Sequence, residues 1–116
     1  ANIDQIGVAR SPFTTAPSVR GSSGFKVLGW AVDHANNSTA AAVDLVIDQI
    51  ALPTFYGSDR PNVVQYLQRP AYFASGFLAY VPPHAVAAGL HTISLRVVSA
   101  NRSCYHQSAG INVVVR

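Results

Sequence analysis

Glutamate and methionine are absent from the 116 residues, and lysine, tryptophan and cysteine occur once each. Each scarcity closes off some chemistry. Without glutamate, a carboxylate pair for acid/base hydrolysis has to come from five aspartates. Such pairs sit ~5–9.5 Å apart. Asp44 and Asp48 share one face of an alternating strand, but at ~3.3 Å per residue they lie about 13 Å apart and read as solvated strand charges. The single Cys104 rules out an internal disulfide, leaves the redox compartment open and reads as a small core residue. No run of about 18 apolar residues exists to cross a bilayer as a helix. The chain begins at Ala1 rather than Met, which reads as a processed mature protein or an excised domain with any leader out of view.

Charge is scarce as well. Charged residues make up 11% and apolar ones 49%, the reverse of a disordered composition. The net charge of +3 and the pI near 9.4 reflect the missing glutamate more than a basic patch. Lys26 and Arg10, Arg20, Arg60, Arg69, Arg96, Arg102 and Arg116 are scattered singly, so no stripe tracks phosphates and no nucleic-acid partner is expected. His34, His84, His91 and His106 lack metal-ligand spacing. Cys104 and His106 are the only close pair, short of the three or four ligands zinc takes, so no metal or other cofactor is expected. There is no G-x-S-x-G elbow and no G-x-x-x-x-G-K phosphate loop, and "GSSG" at 21–24 reads as a flexible turn. The chain reads as a non-enzyme.

What is present is β-structure. β-branched and aromatic residues gather in short runs with Gly and Pro between them. Residues 1–24 give one strand, Ile3 to Val8, and a long Pro/Ser/Gly loop. An apolar run then centres on Trp30, which reads as a core anchor. Val43, Leu45 and Ile47 share one strand face, Pro53 divides the next stretch, and Phe77, Ala79 and Val81 share another face. The clearest alternation is "GLHTISLRVVSA", with Ile93, Leu95 and Val97 against Thr92, Ser94 and Arg96. About seven or eight short strands suit a single 1–116 domain built as a two-sheet antiparallel β-sandwich. Sequons at Asn36, Asn37 and Asn101 mark exposed loops.

The stretch "SDRPNVVQYLQRPAYFASGF" breaks this pattern. Pro61 suits a first helical turn, Ser58 or Asp59 is available as cap, Val63, Val64 and Leu67 share a face, and Arg69 before Pro70 ends the helix. The spacing predicts one short helix over 60–68, crossing between sheets with its apolar stripe plugging one end of the sandwich. Aromatic rings interleaved with planar polar side chains suit a sugar, which offers an apolar C–H face and a hydroxyl rim. The candidate groove comprises Tyr56, Asp59, Arg60, Gln65, Tyr66, Arg69 and Tyr72. The same residues also suit a loop packed on its own sandwich, with Arg60 fastening Asp59 or a carbonyl.

In order along the chain, "GWAVD", "VDLVID", "FYGSDRPNV", "SGF" and "GLHTISLRVVS" resemble a loosely defined group of bacterial extracytoplasmic β-sandwich domains. The resemblance spans about Phe25 to Val98. Gln49 stands where that group has a hairpin glycine, and Asn62 where it has aspartate. The resemblance implies an immunoglobulin-like accessory module of envelope or surface proteins, located in the periplasm, at the cell surface or secreted, and it transfers no functional residue. Two functions stay open: a non-catalytic module binding carbohydrate or polysaccharide, and a protein-interaction or structural surface domain, such as a surface antigen, whose partner is another envelope protein.

Overall fold

Apolar alternation at a period of two runs through most of the chain, and a computed structural model, which describes residues 1–116, shows where each run goes. In chain order the strands are β1 (Asn2–Ile6), β2 (Ala9–Arg10), β3 (Ser18–Val19), β4 (Phe25–Trp30), β5 (Val32–Asp33), β6 (Ser38–Thr39), β7 (Ala42–Ile47), β8 (Ile50–Pro53) and β9 (Phe55–Ser58). The helix α1 (Pro61–Leu67) and a 3₁₀ turn (Pro70–Tyr72) follow. The chain ends with β10 (Gly76–Val81), β11 (Gly89–Val98), β12 (Tyr105–Gln107) and β13 (Ile111–Val115).

One large sheet has the order β2-β1-β4-β10-β9; the other runs β3-β13-β11-β7-β8, with β12 also paired to β11; β5 and β6 pair only with each other, as a small third sheet that the expected two did not include. Residues that alternate along β1, β4, β10, β7, β11 and β13 turn inward and meet in one cluster. Val27, Phe77 and Ala79 from the first sheet join Leu45, Ile93, Leu95 and Val113 from the second. Burying each large aliphatic side chain is worth roughly 1.5–3 kcal/mol, so this shared interior is what holds the sheets face to face.

The structure departs from the sequence expectations at several points. Thirteen strands form rather than about seven or eight. Several of the additional ones are two residues long, too short to show a period in sequence. The strands are not all antiparallel, since β3 pairs with β13 in parallel. Asp48 is no strand residue. It leaves the ladder after Ile47 and turns the chain at φ 57 into β8, where Ile47 pairs with Ile50. Cys104 is exposed rather than in the core, because it lies in the corner before β12.

The helix forms close to its expected bounds, but neither Ser58 nor Asp59 caps it. Arg60 takes the cap position, makes no side-chain cap bond, and its carbonyl accepts the amides of Val63 and Val64. Pro61 follows, where a missing N–H costs nothing. Gln68 closes the helix in the left-handed conformation at φ 54. The apolar stripe does not plug the main core: Val63 packs with Val32 and Tyr72 in a small separate cluster, against the half-buried Trp30 and Leu67. Trp30 therefore anchors the helix rather than the sandwich interior.

Candidate functional site

The seven groove candidates separate into two groups. Tyr56 starts in β9 and points inward. Its hydroxyl donates to the Ala31 carbonyl at 2.6 Å and accepts the Ala40 amide at 3.0 Å, joining the β4–β5 and β6–β7 connections. Burial raises its pKa. Tyr72 is 1% exposed and forms a T-shaped pair with the His34 ring at a centroid distance of 6.0 Å. Of the two partners expected for it, Arg60 takes a carbonyl and not Asp59. Its guanidinium donates to the Gly29 carbonyl at 3.1 Å and to the Asp4 carboxylate at 2.8 Å.

That reach makes Arg60 a strap. It leaves the end of β9, passes over Gly76 of β10, touches β4 at Gly29 and ends on β1 at Asp4. Gly76 has to lack a side chain, because a Cβ there would strike Ser58 Oγ and press on the Arg60 stem at 3.0 Å. Tyr56, Arg60 and Tyr72 are thus committed to holding the molecule together. Asp59, Gln65, Tyr66 and Arg69 are exposed and make no side-chain hydrogen bond within the chain. The structure does not gather the seven into one groove.

A different set of rings does share a surface. Side chains at paired positions of neighbouring strands lie on the same face. On the outer face of the first sheet, Phe55 of β9 pairs with Leu78 of β10, Leu78 with Leu28 of β4, and Leu28 with Gln5 of β1. Tyr80 stands two residues along β10 from Leu78 and pairs with Lys26. Phe55 is 76% exposed and Tyr80 50%. The helix packs at the Trp30 end of this face, and beyond it the exposed rings of Phe55 and Tyr80 flank the half-buried Leu78 and Leu28, bordered by Gln5 and Lys26. Phe55 escaped the sequence reading, although parity contained it: if Tyr56 points inward, its neighbour points out.

A second concavity lies where the segment Val32–Asn36 meets the corner between β11 and β12. It encloses about 390 Å³. Val32 and Val97 supply apolar wall, and His34, Cys104, Tyr105 and His106 are exposed lining residues. Asp33 also lines it without being a free acid. Its carboxylate accepts the Asn36 side-chain amide at 2.6 Å, the Ala100 amide at 2.8 Å and the Asn36 backbone amide at 3.2 Å. These bonds, foremost that of the Asn36 side chain, hold its pKa below the ordinary 3.8. Asp33 therefore works as a clasp between the two segments.

No group of three or more His, Cys, Asp or Glu is placed to hold a metal ion, and no helix is long and apolar enough to cross a membrane. In comparisons with protein-family models, curated proteins and solved structures, the chain matches none.

Proposed function

We propose that this chain is a non-catalytic, immunoglobulin-like accessory module of an extracytoplasmic bacterial surface, and that it holds polysaccharide against the outer face of its first sheet. The observation that carries the reading is the pair of exposed rings, Phe55 and Tyr80, standing on the outer face beside the half-buried Leu78 and Leu28. Rings standing on a sheet offer an apolar platform to the C–H faces of successive sugar units, and the ammonium of Lys26 borders it as a donor to hydroxyls, with the second N–H of the Gln5 amide, whose first donates to the Gly7 carbonyl at 2.8 Å. The order of short motifs from Phe25 to Val98 and the sandwich of two sheets support the location and the accessory role.

The test is retention of the domain in native gels cast with soluble bacterial exopolysaccharides and β-glucans, one polymer per gel. The expected result is retardation by at least one polymer that is lost in Phe55→Ala/Tyr80→Ala. Exposed-residue substitutions of this kind change stability by only about 0.5 kcal/mol each, so the urea midpoint should hold. Retardation that survives the double substitution, or none with any polymer, overturns the reading.

A further inference from the structure

Strand β12 belongs to the second sheet only through β11; no strand lies on its other side. The register shows which of its backbone groups are open. Val97 pairs with His106. The Ser99 amide donates to the Cys104 carbonyl at 2.9 Å, and the Ser108 amide to the Leu95 carbonyl at 2.8 Å. Alternate residues of an antiparallel strand turn their amide and carbonyl toward the partner, so Cys104, His106 and Ser108 face β11 and the intervening Tyr105 and Gln107 face away. Two N–H and two C=O groups therefore stand on a free edge, in a strand whose three residues are all exposed.

This edge adjoins the cavity between Val32–Asn36 and the β11–β12 corner. Tyr105 and His106 line it, as does Val97, the partner of His106. A strand added to β12 would place the residue opposite His106 on the cavity side and its two neighbours, opposite Tyr105 and Gln107, on the outer side. A volume of about 390 Å³ with walls of Val32 and Val97 has room for a large apolar side chain.

Charge points the same way on the outer face. The Arg96 guanidinium carbon lies 4.7 Å from the Tyr105 ring centroid, and its Nε is buried without a partner. Asp44, opposite Arg96 in the ladder, makes no ion pair with it; the chain's two ion pairs are Arg60–Asp4 and His91–Asp48. Arg102 is exposed in the adjoining turn, and the Asp33 carboxylate is already filled by three N–H donors.

We propose that β12 and this cavity form a docking site for an extended peptide segment of a partner protein, which adds a strand to the open edge, seats one large apolar side chain in the cavity and presents acidic residues on either side of it. Backbone pairing supplies affinity in this mode, and the side-chain cavity supplies selectivity. The surface is distinct from the ring-bearing face of the first sheet and stands or falls independently of it.

The probe is a seven-residue peptide, acetylated and amidated, with a central phenylalanine from which aspartate and threonine alternate outward, aspartate first. It is titrated into the isotopically labelled chain and followed by amide NMR. Shifts are expected at Tyr105–Gln107 and Val32–Asn36, together with slowed solvent exchange of the Tyr105 and Gln107 amides. Alanine in place of the phenylalanine should weaken binding about tenfold or more, the scale of one buried aromatic side chain. N-methylation of the peptide amides that face β12 should abolish binding without altering either set of side chains. Gln107→Pro should also abolish binding from the protein's side, since proline is tolerated on an edge where its missing N–H faced solvent, although it removes the bond from Gln107 Nε2 to Ser94 Oγ as well, which peptide N-methylation leaves in place. No shifts at β12, shifts that survive N-methylation, or shifts centred on Phe55 and Tyr80 would overturn the proposal. So would β12 shifts that depend on protein concentration with no peptide present, which would assign the edge to a second copy of the chain.

Discussion

Tyr66 and Tyr72 stand six residues apart and have opposite surroundings, one 72% exposed and the other 1%. Truncating a buried aromatic removes its transfer energy and leaves a cavity, so Tyr72→Ala should cost ~3–5 kcal/mol in urea unfolding while Tyr66→Ala stays within about 0.5 kcal/mol. Tyr56→Phe is a finer probe. It leaves the Ala31 carbonyl and the Ala40 amide without their partner and should cost ~1–3 kcal/mol. The sequence made Val63 and Leu67 legible as an inward pair, because they sit four apart on a helix. It could not sort the tyrosines. Tyr66 is three residues from Val63 and borders the same stripe, while Tyr72 belongs to a 3₁₀ turn, to which helical spacing does not apply. The strap of Arg60 was equally hidden, since its partner Asp4 lies 56 positions away.

The turn between β7 and β8 shows what an element gains from one charged pair. Asp48 accepts from His91 Nδ1 at 2.7 Å and from the Thr92 amide at 3.1 Å, and His91 Nε2 lies 2.7 Å from the Ala87 carbonyl. Both ring nitrogens face acceptors, so both bonds form only when the imidazole carries two protons. The Asp48 carboxylate, with the Ala87 carbonyl second, raises the His91 pKa above 6.5; His91, with the Thr92 amide second, lowers that of Asp48 below 3.8. A raised histidine pKa contributes stability that is complete below pH 6.5 and is lost as pH rises through the folded value. A depressed carboxylate contributes stability that is complete above pH 3.8 and is lost as pH falls through the folded value. The clamp is therefore strongest between these limits. The urea midpoint should be higher at about pH 5.5 than at about pH 8.5, with most of the difference gone in His91→Asn. Such clamps, and the two-residue strands at the sheet edges, are illegible in sequence because their partners are set by topology.

At the scale of the molecule, the faces of the long strands were readable but their neighbours were not. Alternation put Val43, Leu45, Ile93 and Val97 inside, and they are inside. Nothing in it said that β11 would run between β7 on one side and β13 and β12 on the other, an arrangement that leaves β12 with an open edge. Both sheets share one interior, so a cavity cut there should be felt on both sides. Leu45→Ala, expected to cost ~2–5 kcal/mol, should lower hydrogen-exchange protection in β4 and β10 as much as in β7 and β11. Trp30 stands apart from that interior. The chain's one tryptophan ends β4 and packs against the small cluster beneath the helix, so its fluorescence is weighted toward helix docking, whereas circular dichroism weighs the strands of the whole sandwich. An emission curve that runs ahead of the dichroic curve would show α1 leaving before the sandwich melts, and agreement of the two would show that helix and sandwich melt as one unit.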